Sequence, residues 1–204
     1  MKNIEVVILA NSVKHHQHCV AGKCIANGQW VRPVSNIDGA ELSHAQALCK
    51  NPYGQFNVKP LQKVIMSFST HAPLSHQPEN YVIDGSVWRQ NFGISVGELD
   101  NYLDTPNDIW GGTDRVSHAS IVSGHIAIEQ SLYLIAVENL HLYKNQYDRR
   151  RASFSYRGNN YNLAVTDPNF DRIIQNNEVP KGILCVSLGE EYQGNCFKLV
   201  ATIF

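Results

Sequence analysis

Apolar and polar positions along this chain follow the short periods of β-structure. The stretch "IEVVILA" (4–10) is short, β-branched and followed by polar residues, which predicts a buried strand. "GKCIANGQWVRPV" (22–34) predicts a hairpin, with Asn27-Gly28 supplying the positive φ values of a tight type I′ turn. Pro33 has no N–H for a ladder, so its strand is expected to lie at an edge or to end there. "QKVIMSFSTH" (62–71) places Val64, Met66 and Phe68 on one face. "SLYLIAVENLHLY" (131–143) suits a long strand, and "ASFSYRGNNYNLAVT" (152–166) a hairpin turning at Gly-Asn-Asn. "GILCVSLGE" and "CFKLVATIF" close the chain as two strands, with Lys198 expected to face solvent.

Helical signals are few. "SVGELDNYL" sets Glu98 three residues after Ser95, a capping-box spacing for a short helix. "TDPNFDRII" reads as a second helix start, with Asp167 as N-cap and Pro168 as the first helical residue. Residues 71–86 form a Pro-rich polar loop and 105–117 a turn-rich connection. There is no close internal repeat, yet both ends share one plan of strand, hairpin, short helix and strand. The expected architecture is mainly β: two small OB-like Greek-key barrels with short helices and a helical or loop connection. The boundaries are 1–78, 79–130 and 131–204.

Composition narrows the class. With 43% apolar and 17% charged residues in 204, the chain is foldable and not disordered. No signal peptide is expected at the start, and no run nears the roughly 20 apolar residues of a membrane span. Five scattered cysteines without a C-x-x-C pair argue against a disulfide framework and for a reducing cytosol, hence a cytoplasmic location. The net charge of −1 argues against indiscriminate coating of nucleic acid. Charge is segregated all the same. Lys14, Lys23 and Arg32 stand without acids, and Lys144, Arg149, Arg150, Arg151 and Arg157 stand against Asp148. Glu79, Asp84, Glu98, Asp100, Asp104, Asp108 and Asp114 make the middle acidic.

The segments "KHHQHCVAGKCIANGQWVRPVS", "QPEN", "ASFSYRGNNYNLAVTDPNFD" and "VSLGEEYQGNCFKLVATIF" resemble the pattern of dual OB domain-containing proteins. The resemblance covers most of both ends and is weakest across 87–130. It implies two OB folds and a setting in prokaryotic defence or nucleic-acid-modification systems.

The run from Asn11 to Ser35 admits three chemistries. His15, His16, His18, Cys19 and Cys24 include zinc-ligand types, but a closing pair would have to come from His71, His76 or Cys49. Cys19 beside His16 and His18 could form an activated thiolate, with Lys14 or Arg32 holding an anion; the enzyme alternative acts on nucleic acid or a nucleotide with His15, His16 or Cys19 in acid–base or nucleophilic work. Neighbours on a strand point to opposite faces, which weakens that arrangement. A glycine-rich "GGTDR" (111–115) lacks any P-loop spacing. Binding asks least of geometry: basic side chains along phosphates and rings that stack on bases. The expected nucleic-acid-binding residues are Lys14, His15, Lys23, Trp30 and Arg32 in the first unit. In the second they are Arg149, Arg150, Arg151, Tyr156 and Arg157, with Trp30 and Tyr156 stacking. The reading is a recognition module for nucleic acid, single-stranded or locally opened rather than intact duplex, with no cofactor, metal or membrane; a protein–protein adaptor is a further alternative, in which the same aromatics dock a partner chain, such as another protein of that system, and the acidic middle supplies specificity.

Overall fold

The computed structural model describes residues 2–14, 17–178 and 180–204, and of Val13 and Lys14 the backbone alone. It divides into two compact units, Met1–Tyr102 and Leu103–Phe204. The stretch 79–130, expected as a connection, adds two strands and a 3-10 helix to the first unit and a strand and a helix to the second.

The first unit contains β1 (Ile4–Lys14), β2 (Gln17–Cys24), β3 (Trp30–Val34), β4 (Leu48–Asn51), β5 (Gly54–Asn57), β6 (Gln62–Met66), β7 (Phe68–His71), β8 (Asn80–Ile83) and β9 (Trp88–Gly93). They pair in the order β5-β4-β9-β6-β1-β2-β3-β8-β7. Only Ser67 separates β6 from β7, so one extended segment pairs with β1 through its first half and with β8 through its second. β3 and β8 run parallel. A meander of three strands, a parallel third–fifth pairing and a fourth strand returning to the first is the OB wrap. It is interrupted at Ser67, so the sheet is OB-like without an unbroken closed barrel. Val6, Ile8, Val20, Val31, Val64, Met66, Phe68 and Trp88 fill its core.

Two local features shape this unit. A Cβ on Gly22 would sit 2.0 Å from the Val7 carbonyl oxygen, so β1 and β2 approach this closely only because glycine stands there. The hairpin between β2 and β3 exists, but not with the expected turn. Gly28 has φ 71° while Asn27 is absent from the positive-φ residues, and the Cys24 N–H donates to Gln29 O across a four-residue loop. Pairing with β2 stops at Val31, ahead of Pro33, while the parallel register with β8 runs on to Val34.

The second unit contains β10 (Arg115–Ser117), α1 (His118–Val122), β11 (Leu132–Ala136), β12 (Glu138–Lys144), β13 (Arg150–Tyr156), β14 (Asn159–Val165), α2 (Phe170–Gln175), β15 (Ile183–Tyr192) and β16 (Asn195–Ile203). Its order is β11-β15-β16-β14-β13-β12, with β10 on β16. β11 and β12 are separated by Val137 alone, β14 and β16 are parallel, and α2 lies between the third and fourth strands of the wrap. The OB plan is thus repeated. Ile135, Ala152, Phe154, Tyr156, Tyr161, Leu163, Phe170 and Val200 form its core. The β13–β14 hairpin turns at Arg157–Gly158, φ 47° and 79°, one residue earlier than the Gly-Asn-Asn expectation.

The Glu98 half of the capping box is present: its carboxylate accepts from the Ser95 N–H at 2.7 Å and from the Ser95 hydroxyl at 2.9 Å, heading the 3-10 helix Val96–Tyr102. Asp167 is not an N-cap. Asn169 holds the N-cap position of α2 without a side-chain capping bond, while the buried Asp167 carboxylate accepts from the Asn169 N–H at 2.7 Å and the Ile203 N–H at 2.8 Å. Lys198 does not face solvent either. It is 1% exposed and its ammonium donates to Gly111 O at 2.6 Å.

Candidate functional site

In the first unit, alternation turns Lys23, Trp30 and Arg32 away from the Val20–Val31 interior, as a strand requires. The outer side is nevertheless covered. Val7, Leu9 and Ala21 on it are buried, as are Lys23, Trp30 and Arg32. The Lys23 ammonium donates to Tyr102 O at 2.8 Å and stands 5.4 Å from the Trp30 ring centroid. Arg32 Nε lies 3.2 Å from Glu79 Oε1, with both side chains buried. Burial of a charge is stable only with such partners. These three residues are therefore structural, a correction to the expected stacking and phosphate-contacting strip. Lys14 ends β1 opposite Gln17, and His15 lies outside the described residues, as does His16. His18 is buried, with Nδ1 3.3 Å from Asn11 Oδ1 and its ring 5.6 Å from that of His44. Burial, and then the neighbouring His44, lower its pKa. Among the described residues no three His, Cys, Asp or Glu side chains gather as metal ligands.

In the second unit β13 divides its residues between two faces. Ala152, Phe154 and Tyr156 enter the core, and Arg151, Ser153 and Ser155 point outward. Tyr156 is buried and its hydroxyl donates to Pro106 O at 2.8 Å, so its ring is not available to stack on a base. The triple arginine splits for the same reason. Arg150 turns toward α2, donating to Asp171 Oδ2 at 2.5 Å and to Asp167 O at 3.2 Å, with its guanidinium 5.7 Å from the Phe170 ring. Arg157 sits at the opposite end of β13, about 20 Å away by strand rise. It donates to Thr105 O at 3.4 Å and lies over Tyr156.

What remains is an outward polar face on β12, β13 and β14, the first three strands of the wrap. The register places Tyr143, Arg151 and Ala164 in one row and His141, Ser153 and Asn162 in the next. The His141 and Tyr143 rings are stacked, 5.4 Å apart at 15°. Asn162 joins the rows: its Nδ2 donates to the Tyr143 hydroxyl at 2.7 Å and its Oδ1 accepts from Arg151 Nε at 3.0 Å. Arg151 also donates to the Asn162 carbonyl. These bonds hold the guanidinium against the sheet.

The loop from β12 to β13 borders this face. The Asn145 side-chain oxygen accepts from the N–H groups of Tyr147 and Arg149, each at 3.0 Å, and the Asn145 N–H donates back to Arg149 O. The loop is thereby ordered while Tyr147 stays 72% exposed beside the exposed Arg149. Lys144 lies 3.2 Å from Asp171 and 3.3 Å from Asp148, and these carboxylates raise its pKa, so its charge is partly matched. Glu138 occupies the far end of the same face, opposite Ser155.

Of the expected residues, then, the structure brings Arg149 and Arg151 together. His141, Tyr143, Tyr147 and Asn162 escaped the sequence reading, which favoured the aromatics at core positions. The alternation of "ENLHLYK" carried the signal: its odd-numbered positions, opposite Ser153 and Arg151, hold His141 and Tyr143.

No curated protein matches the chain. A solved structure of a murine DNA binding protein bound with ds DNA is similar at 10% identity and a TM-score of 0.35, over 100% of this chain and 97% of that one. Similarity at that score carries no weight for function. No helix among the described residues is long and apolar enough to cross a membrane. The family model of DuOB, the dual OB-containing domain, matches residues 4–203, in accord with two successive OB wraps, and the chain belongs to that family.

Proposed function

We propose that this protein binds nucleic acid through the outward face of β12, β13 and β14 and the adjoining 145–149 loop. The carrying observation is the conjunction of Tyr147, 72% exposed on an ordered loop, with Arg149, Arg151 and the stacked His141–Tyr143 pair. OB folds bind oligonucleotides on this side of the wrap and with this loop. Tyr147 and Tyr143 offer ring surface for bases, Arg149 and Arg151 meet phosphates, and Asn162 and Ser153 offer polar contacts. A single strand is the preferred form, because its unpaired bases can reach rings on a sheet. The wider reading places the protein in the cytoplasm as a recognition module of a prokaryotic defence or nucleic-acid-modification system, alongside other proteins of that system.

The test is a titration of labelled single-stranded DNA, single-stranded RNA and duplex at two salt concentrations. Two or three phosphate contacts give a log–log salt slope of about −1.4 to −2.1 for a single strand. Absence of binding to all three at low salt refutes the proposal.

A further inference from the structure

A second surface, in the first unit, has no place in that reading and stands independently of it. An open groove of about 560 Å³ is lined by Asn51, Tyr53, Phe56, Asn57, Lys59, Gln62 and Gln90. Its size falls in the range of about 300–1,000 Å³ typical of small-ligand sites. The hairpin β4–β5 that supplies one wall is inserted between the third and fourth strands of the wrap. At its tip Tyr53 is 90% exposed, and Phe56 is 45% exposed in β5. Two rings held in water beside a cavity are unspent apolar surface.

The amides are organised and not merely adjacent. Gln90 Oε1 accepts from Asn51 Nδ2 and from Gln62 Nε2, each at 3.1 Å. Asn51 Oδ1 accepts from the Tyr53 N–H at 2.9 Å, and Gln62 Oε1 from the Lys59 N–H at 2.7 Å. With its oxygen used twice, Gln90 retains its amide N–H groups as donors. Asn57 Oδ1 is shielded from solvent and has no hydrogen-bond partner among the described residues. An unsatisfied buried acceptor is uncommon and costly enough to call for an explanation. Lys59 adds an exposed cation at the rim.

We propose that this groove binds a single purine or pyrimidine base. The base stacks on Tyr53 or Phe56 and an edge acceptor takes an N–H from Gln90; a phosphate attached to the base meets Lys59. Adenine, guanine, cytosine and uracil each present donors and acceptors on one planar edge, which distinguishes them from an apolar ring. The base belongs either to a free nucleotide or to an unpaired position of a strand, and the probes separate the two.

The full chain is titrated with adenosine, guanosine, cytidine and uridine 5′-monophosphates, then with a short single-stranded oligonucleotide, while amide NMR shifts are followed. Saturable shifts confined to residues 48–62 and 88–93 with a mononucleotide support the proposal with a free nucleotide as ligand. The same shifts with the oligonucleotide alone support it with the strand as source. Tyr53→Ala, at an exposed position with no bearing on folding, is expected to weaken the interaction at least about fivefold. Gln90→Leu is expected to do likewise, and Lys59→Ala to weaken mononucleotides while leaving the parent nucleosides unchanged. Shifts at these residues with none of the probes, or binding indifferent to both Tyr53→Ala and Gln90→Leu, overturn it. A Tyr147→Ala, Arg151→Ala double variant removes the face on the second unit and leaves this groove intact, so the failure of one reading is distinguishable from the failure of the other.

Discussion

The Lys198 ammonium donates to the Gly111 carbonyl at 2.6 Å and lies 5.7 Å from the Tyr161 ring centroid, at a residue only 1% exposed. Desolvation by burial lowers its pKa from 10.5 to about 8, against the opposing pull of Asp108 and Asp114. Between those two values the unfolded chain holds a proton that the folded chain has released. Stability therefore rises as pH increases from about 8 to about 10.5, and below 8 the buried charge costs roughly 3 kcal/mol at 1.36 kcal/mol per unit. Urea denaturation of the wild type and Lys198→Met at pH 7 and pH 10 checks this. The wild type is expected to gain on the variant at the higher pH; a constant difference contradicts the assignment.

Arg32 and Glu79 form a buried pair in the first unit, 3.2 Å apart and joining β3 to the chain just before β8. Removing one partner of such a pair leaves the other charge desolvated. Glu79→Ala is expected to destabilise the protein by about 3–5 kcal/mol. Oligonucleotide affinity measured below the new unfolding transition is expected to stay within about twofold of wild type. A large affinity loss in a fully folded Glu79→Ala protein would return Arg32 to the binding surface.

Adjacent arginines on β13 are expected to behave differently because the strand sends them to opposite faces. Arg150→Ala loses bonds to Asp171 and the Asp167 carbonyl and is expected to lower stability by about 1–2 kcal/mol, the pair being part-exposed. Arg151→Ala leaves the core untouched and is expected to weaken oligonucleotide binding and flatten its salt slope by about 0.7, one phosphate's worth. Tyr147→Ala is expected to weaken binding by about 1–3 kcal/mol with no change in slope. Thermal melts and titrations at three salt concentrations separate the effects. Equal behaviour of the two arginine variants in both measurements would contradict this division.

Strand content and the twofold OB plan were legible because hydrophobic runs and turn residues act locally. Val64, Met66 and Phe68 share the interior as their alternation requires. Lys23, Trp30 and Arg32 show where local reasoning stops. Their parity was readable, but nothing in the sequence says whether the outer face of a strand meets water or Tyr102 and Glu79, which lie 79 and 47 residues further on. Lys198 and Tyr156 were misassigned on the same ground, since their partners Gly111 and Pro106 come from an irregular segment. Arg149 and Arg151 were singled out by charge. His141 and Tyr143 were passed over because the register that sets them opposite Ser153 and Arg151 is not readable from one strand alone, and Tyr147 because it lies between β12 and β13, outside any strand pattern.

Asp167 ties the start of α2 to the last strand, one carboxylate oxygen accepting from the Asn169 N–H at 2.7 Å and the other from the Ile203 N–H at 2.8 Å. Burial raises its pKa, and the backbone N–H groups of Asn169 and Ile203 partly oppose that rise. Asparagine has the same shape but only one accepting oxygen. In Asp167→Asn one backbone N–H must therefore face the amide nitrogen, and a buried donor goes unsatisfied. The expected cost is about 1–3 kcal/mol, concentrated where α2 and the end of β16 meet. Hydrogen exchange is expected to quicken first at Ile203 and Asn169, ahead of the β13–β14 ladder. If Asp167→Asn matches wild type in both denaturation midpoint and exchange at those two amides, the carboxylate is not the clasp between helix and strand.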